Sequence, residues 1–569
     1  MSSNDAGREN GALIAPRNGV SYVRGASDAP LSDATIGEFL GATATQFPDR
    51  LAVVFREQGI RWTWREFSDE VDVLAAALLG LGIATGDRVG IWSPNRVEWL
   101  MTQFATARIG AILVNINPAY RLTELEYALN KSGCVALIAA PQFKTSMYLD
   151  MLRTVAPELE KSEPGELHAA SLPQLRTVVR MGDTPTPGML TFCELIEKGR
   201  VSLDPAALDA RAAMLSAGDA INIQFTSGTT GHPKGATLTH RNVVNNARYI
   251  ARAMRLTEND SLCIPVPLYH CFGMVLSVLA CVSAGATMVF PAEAFDPGAT
   301  LAAVSEERCT ALHGVPTMFI AELDHPDFDR FDLTALRTGI MAGSPCPIET
   351  MKRVVARMHL SEITIAYGMT ETSPVSFQSA TTDPLDKRTS TVGRIQPHLE
   401  AKVVDAEGRT VPVGAIGELW TRGYSVMRGY WDDDARTREA IQDGWMHTGD
   451  LATIDAEGYC NIVGRLKDML IRGGENIYPR EIEDVLLEHD SVKEAAVVGR
   501  PDEVRGEEVH AVVALVSGDD ASVLEEHCRA RLAPFKVPTS WEVVEELPKT
   551  STGKIDKKPL RERLAAASG

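Results

Sequence analysis

No C-x-x-C pair occurs in this sequence, and none of its nine cysteines, at 134, 193, 263, 271, 281, 309, 346, 460 and 528, has histidine beside it at metal-ligand spacing. That absence argues against a cysteine-metal site and against a disulfide framework, and scattered thiols in odd number read as reduced and mostly buried, as in cytoplasm. Positive charge is also short, with 56 Lys+Arg against 75 Asp+Glu and a net charge of −19. The overall field repels nucleic acid, anionic membrane surface and polyphosphate, so any anionic ligand has to be held by a local device. The first 30 residues lack an apolar stretch long enough for a signal peptide and read as a loose tail. Long apolar runs are confined to one, "CFGMVLSVLACVSAGATMVF" at 271–290, which has the length of a bilayer span. Its "SAGA" is a helix-ending signal that divides the run into a buried helix near 272–283 and a short buried strand near 286–290.

The chain is long, 569 residues, 45% hydrophobic and 23% charged, enough for several domain-sized units with a large core. From about 33 to 390 an amphipathic helix, a turn and a short β-branched strand recur. "WREFSDEVDVLAAALLGLGI" spaces Phe67, Val71, Leu74 and Leu78 by three and four before the strand "GDRVGIW"; "VEWLMTQFATARIG" before "AILVNI" and "NVVNNARYIARAMRL" before "SLCIPV" repeat the theme. Such alternation predicts an α/β fold with parallel-rich sheets flanked by helices. Beyond about 392 short strands alternate with turns, two of them "DAEG", which predicts a small antiparallel, barrel-like subdomain over 392–466. After "GRLKDMLIRGG" a small α+β unit begins. The expected division is a tail at 1–30, a large domain at 31–466 and a C-terminal domain at 467–569.

The stretch richest in chemistry is "TSGTTGHPKG" at 226–235, short of bulk and rich in donors directly after the apolar "AINIQF". Small residues let backbone N–H groups approach an anion, so the loop is either a tight turn or a phosphate cradle. It is not the P-loop G-x-x-x-x-G-K-[ST], because Gly235 follows Lys234. "STGKID" at 551–556 fails the same test at Ile555, and "GLGIATG" at 80–86 follows a helix where a dinucleotide fingerprint precedes one.

Five ordered stretches, "FTSGTTGHPKGATLTH", "AYGMTETSP", "GWMHTGDLATID", "GRLKDMLIRGGENIYPREIE" and "PKTSTGKIDKKPL", closely resemble the signatures of the adenylate-forming superfamily, over roughly 35–563. "RGGENIYPREIE" and "PLYHCFGM" look most like fatty-acyl-CoA synthetases, the medium-chain branch in particular. The resemblance implies a carboxylic acid joined to AMP with release of pyrophosphate, then transferred to CoA, with ATP, Mg²⁺ and CoA as the small molecules used. It implies that Thr226, Ser227, Gly228, Thr229, Thr230 and Gly231 wrap the β and γ phosphates with Lys234 adding charge. His232 stands where the family usually has a small or basic residue. Tyr367 would stack on adenine with Gly368 beside it, Gly343, Ser344 and Pro345 would lie against the base, Thr370 would bond the α-phosphate, and Glu371 with Thr226 would hold Mg²⁺. Asp450 would accept the ribose hydroxyls near Arg465. Lys554 would bridge substrate carboxylate and α-phosphate, Lys467 would be the hinge of a mobile C-terminal domain, and Gly473 and Gly474 would line the CoA path. The acyl pocket would draw on His270, Phe272, Gly273, Met274, Val315, Met318, Ala366 and Met369.

The expected function is therefore a fatty-acyl-CoA synthetase. An aryl-CoA ligase, a ligase loading a carrier protein and a nucleotide-binding protein without turnover stay open beside it. Expected partners are small molecules, with no nucleic acid and no transmembrane segment; peripheral membrane contact, and monomer versus homodimer, are left open.

Overall fold

The computed structural model describes residues 14–226, 233–344, 346–472, 475–502, 505–516, 522–550 and 553–567. Two large sheets carry the N-terminal part. In the first, strands run in spatial order Gly429–Tyr430, Lys234–Thr239, Ala220–Thr226, Ile112–Asn115, Arg88–Trp92, Cys134–Ala139, Thr177–Arg180 and Leu190–Thr191. All neighbours from Ala220–Thr226 onward are parallel. The second sheet has nine strands, parallel from Glu362–Gly368 to Leu51–Phe55 and antiparallel at both margins. Cys134–Ala139, "CVALIA", is buried along its whole length, as a strand covered on both faces must be.

One hydrophobic cluster joins the two sheets, since it contains Val89, Val114 and Ile223 of the first and Val53, Met288 and Ile340 of the second. Helix Val97–Ile109 is buried on nearly every side, which places it between layers rather than on a surface. The 271–290 run divides as its glycine predicts. A π-helix, Phe272–Leu279, continues into Ala280–Ala284, Gly285 closes it in the left-handed region, and strand Thr287–Phe290 follows. Among the described residues no helix is long and apolar enough to cross a membrane.

The antiparallel region is a six-stranded sheet, and both "DAEG" stretches make turns between antiparallel partners. One expectation fails here. The tail expected to be loose through residue 30 supplies strand Tyr22–Arg24, paired antiparallel with Leu399–Val404. Ser21 and Val23 are fully buried there. The alternation in "SYVRG" is only one side chain deep, too short to register as a strand until a partner edge is present. The C-terminal part forms a separate five-stranded sheet whose longest pair is Val492–Asp502 with Gly506–Leu515, packed on helices Pro479–Leu487 and Ser522–Arg529 around its own cluster.

Helix His240–Ala253 couples these parts through three asparagines. Asn242 donates to the carbonyls of Tyr424 and Val426, Asn245 exchanges hydrogen bonds with the Ser32 backbone, and Asn246 takes both backbone groups of Val375, at 2.8 and 3.0 Å. Replacing Asn246 with alanine strands a buried N–H and a buried C=O, each worth about 1–3 kcal/mol. Asn246→Ala is therefore expected to lower unfolding free energy by about 3 kcal/mol in urea titration, whereas Arg248→Ala, two residues further along the helix and more exposed, changes it little.

Candidate functional site

The site grows from two antiparallel pairings at sheet margins. Strand Ala220–Thr226 turns back as Lys234–Thr239, and in that register Thr226 stands opposite Lys234 at the base of the glycine-rich loop. Ser227, Gly228, Thr229, Thr230, Gly231 and His232 lie outside the described residues, as do Pro345, Gly473 and Gly474. In the second pairing, strands Trp445–Ile454 and Cys460–Arg465 set Asp450 opposite Arg465. Their side chains form an ion pair, Nε to Oδ1, at 3.1 Å.

Glu371 is buried in the short turn Thr370–Thr372 after strand Glu362–Gly368. Gly368 makes that turn feasible, because a Cβ there would lie 1.6 Å from the Pro374 carbonyl oxygen. One oxygen of Glu371, Oε1, accepts from Thr226 Oγ1 at 3.1 Å and from the Tyr430 hydroxyl at 2.9 Å. Lys234 Nζ lies 3.0 Å from the same Tyr430 hydroxyl. Thr226, Lys234, Glu371 and Tyr430 are thus one bonded group.

Tyr367, on the same strand as Gly368, donates to Asp450 Oδ2 at 2.6 Å. Burial pushes the Asp450 carboxyl up, and Arg465 and the Tyr367 hydroxyl oppose that shift. Burial raises Tyr367 as well, reinforced by the adjacent Asp450 charge.

Lys554 arrives from the C-terminal part. A Cβ built on Gly343 would be 3.4 Å from Lys554 Cε, and Thr317 Oγ1 donates to the Gly553 carbonyl at 3.3 Å. Burial lowers Lys554 to about 8, the nearby Arg465 lowers it further, and Asp450 and Cys271 oppose the shift. His270 is pushed down to about 3 by burial and by the Lys554 charge, so it is neutral, and its Nδ1 accepts from the Phe272 N–H at 3.1 Å. Val315 touches the Cβ positions of both Gly343 and Gly553. Phe272, Gly273 and Met274 lie buried on the π-helix, Met318 and Ala366 are buried, and Met369 is half-buried. Met274 Sδ rests 3.6 Å from Gln224 Nε2, on the strand that leads to Thr226. Lys467 is exposed in the single turn Leu466–Asp468, two residues past Arg465, and burial together with the Arg465 charge lowers its pKa; the next residue, Asp468, pairs with Arg561 at 2.7 Å.

Several participants carried no sequence signal of this kind. Tyr430 sits on a two-residue strand, too short for any alternation. Gln224 and Thr317 are polar residues inside apolar stretches, and Gln224 accepts from Cys271 Sγ at 3.0 Å.

Among the described residues no group of three or more His, Cys, Asp or Glu could hold a metal ion. One buried carboxylate beside a threonine hydroxyl fits a cation of the Mg²⁺ kind, which would complete its shell with phosphate and water oxygens.

A glycine-rich loop based on Thr226 and Lys234, a carboxylate at 371, a tyrosine–aspartate–arginine group and a lysine delivered from a second unit define a nucleotide-handling enzyme with two lobes. The chain belongs to the AMP-binding enzyme family: that family's model matches residues 40–431, and the model of the AMP-binding enzyme C-terminal domain matches 481–554. A provisionally named acyl-CoA synthetase of Bacillus subtilis, YngI, is 49% identical over 94% of this chain and 98% of its own length. The mitochondrial medium-chain acyl-CoA ligase ACSF2 of Mus musculus is 45% identical over 96% of this chain and 90% of its own. Among solved structures, the anthranilate CoA ligase AuaEII in complex with anthranoyl-AMP superimposes with a TM-score of 0.85 at 28% identity, covering 95% of this chain and 99% of that one.

Burial disfavours the ammonium form, so Lys554 is half neutral near pH 8, where an exposed lysine is almost fully charged. In the ligand-free protein its labelling by an amine-specific reagent should rise through pH 8, which mass spectrometry across pH 6–10 reads.

Proposed function

We propose that this protein is an ATP- and Mg²⁺-dependent acyl-CoA synthetase acting on a fatty acid, with medium chain length favoured. The observation that carries the reading is the delivery of Lys554 to Gly343, within the electrostatic reach of Asp450, Arg465 and His270. A carboxylate is a poor acyl donor because its charge repels nucleophiles and oxide leaves badly. A carboxylate oxygen attacks the α-phosphorus of ATP, pyrophosphate departs, and the acid is held as a mixed anhydride with AMP. The CoA thiolate then attacks the acyl carbon and AMP leaves with the bonding pair.

The residues divide this work. Thr226 to Gly231 and Lys234 hold the β and γ phosphates, and Thr370 bonds the α-phosphate. Glu371 with Thr226 holds Mg²⁺, which neutralises phosphate charge. Tyr367 and Gly368, with Gly343, Ser344 and Pro345, hold the base, and Asp450 with Arg465 holds the ribose. Lys554 meets the negative charge that accumulates between carboxylate and α-phosphate in the first transition state. A neutral His270 beside Lys554 leaves that cation unopposed for the anionic acid. Phe272, Gly273, Met274, Val315, Met318, Ala366 and Met369 wall an apolar chain, in keeping with the medium-chain name of the ACSF2 relatives.

The domain boundary falls at 466/467. The C-terminal domain turns about Lys467 after the first step, withdrawing Lys554 and bringing Gly473 and Gly474 to the CoA path. Free cysteines throughout the chain, eight of them buried and Cys193 exposed, suit a reducing compartment, and cytoplasm is the location we assign. A second reading, an aryl-CoA ligase, draws on the likeness to the anthranilate CoA ligase structure.

ATP–pyrophosphate exchange across straight-chain and aromatic acids separates the readings: C6–C10 acids should outpace benzoate and anthranilate, and exchange with no acid would overturn the function. Lys554→Ala should slow exchange by about three orders of magnitude or more, while thioester formation from supplied acyl-adenylate stays within about threefold, as for a group used in one transition state. Equal loss in both half-reactions removes that role from Lys554.

A further inference from the structure

The bonded group at the loop base holds a residue to which the reaction gives no task. Tyr430 is 5% exposed, and its hydroxyl stands between a cation and an anion: Lys234 Nζ at 3.0 Å and Glu371 Oε1 at 2.9 Å. The single hydroxyl proton goes to the carboxylate, and the oxygen lone pair accepts from the ammonium. Lys234 Nζ and Glu371 Oε1 are therefore at most two hydrogen-bond lengths apart, with Glu371 buried and Lys234 half-buried, a setting in which direct pairing would be favoured. No Lys234–Glu371 ion pair occurs among the described residues; both groups end on the phenol instead.

The position of that phenol is set by backbone. Strand Gly429–Tyr430 pairs with Lys234–Thr239, Ala236 standing opposite Tyr430. The Tyr430 N–H donates to Thr437 Oγ1 at 2.8 Å, and the Trp431 N–H donates to the Gly235 carbonyl at 2.7 Å. The ring is thus anchored to the strand that begins at Lys234, whether or not its hydroxyl is bonded.

We propose that Tyr430 is a positioning residue that keeps Lys234 and Glu371 from neutralising each other, so that the ammonium stays available to phosphate and the carboxylate to the divalent cation. The inference rests on the phosphate and Mg²⁺ roles assigned above to Lys234 and Glu371. A lysine paired with Glu371 would have to be pulled away before either ligand could bind, and the penalty would fall on metal and nucleotide together. With the hydroxyl between them, each group gives up only one hydrogen bond to tyrosine.

Tyr430→Phe keeps the ring and removes the hydroxyl. Calorimetry with a non-hydrolysable ATP analogue, in saturating Mg²⁺ and again in EDTA, gives an affinity ratio that reports what the metal adds. In Tyr430→Phe this ratio should fall about tenfold or more, the effect of losing an outer partner of a metal ligand. Adding Lys234→Met to Tyr430→Phe removes the competing cation. The ratio should then return to within about twofold of the Lys234→Met single variant, the scatter of independent changes, although nucleotide binding stays weak. Damage to packing alone would not be repaired by a second lesion. An unchanged ratio in Tyr430→Phe overturns the proposal, and so does a ratio that Lys234→Met fails to restore. A crystal structure of Tyr430→Phe should show Lys234 Nζ within salt-bridge distance of the Glu371 carboxylate; continued separation overturns it too. Glu371→Gln keeps the two failures distinguishable: if it leaves the ratio unaltered, the metal assignment at Glu371 is wrong, whatever Tyr430 does.

Discussion

Antiparallel register, at the margin of the first large sheet and within the six-stranded sheet, is the constraint on which the site depends. Thr226 faces Lys234 across one pair and Asp450 faces Arg465 across another. A slip of one residue in either would send both side chains to the opposite face and dissolve the group. Parallel strands cannot make such close reciprocal contacts between consecutive segments, because their connections need a crossover of a dozen residues or more. The loop that follows Ala220–Thr226 therefore differs physically from a phosphate loop that opens a helix. It joins two strands, and helix His240–Ala253 begins only after the return strand has ended. That helix then fastens the Val375 strand and the antiparallel subdomain through Asn246 and Asn242, so pieces far apart in sequence share one rigid support.

A chain with a net charge of −19 has no general field with which to attract a polyanion. Its cations at the site are few and each is managed separately. Arg465 is tied to Asp450, Lys234 rests on a phenol rather than on a carboxylate, and Lys554 is held where burial weakens its own charge. A lysine lowered toward neutrality by its surroundings is one whose charged form gains most when anionic oxygens arrive, which concentrates stabilisation at the moment negative charge is present.

The broad architecture was readable from periodicity, because buried strands such as "CVALIA" and helices such as Trp64–Gly80 carry strong patterns. Gly285 marked the division of the long apolar run for the same reason. Whatever needed a partner to become regular was not readable. Tyr22–Arg24 is a strand only because Leu399–Val404 offers it an edge, and Gly429–Tyr430 is too short to show a period at all. At the site, ordered motifs located Asp450, Glu371 and Lys554. Tyr430, which bonds Glu371, and Thr317, which bonds the carbonyl before Lys554, sit in stretches where a polar residue reads as an ordinary solvated or satisfied one.

Among the described residues, the contacts that Thr317 and Val315 make with Gly553, beside Lys554, are between neutral groups. Thr317 gives one hydrogen bond, at 3.3 Å, to the Gly553 carbonyl, and Val315 adds van der Waals contact. Within the C-terminal part, by contrast, Lys549 and Lys557 are each locked to buried glutamates, Glu494 and Glu483, and Arg561 is paired with Asp468. A neutral hydrogen bond contributes about 1 kcal/mol, whereas removing one partner of a buried ion pair costs several. The C-terminal unit is therefore held together much more firmly than the Thr317 contact holds its lysine segment to the site. Such a hierarchy keeps the C-terminal unit intact on its own contacts, which is what the turning motion proposed for it requires.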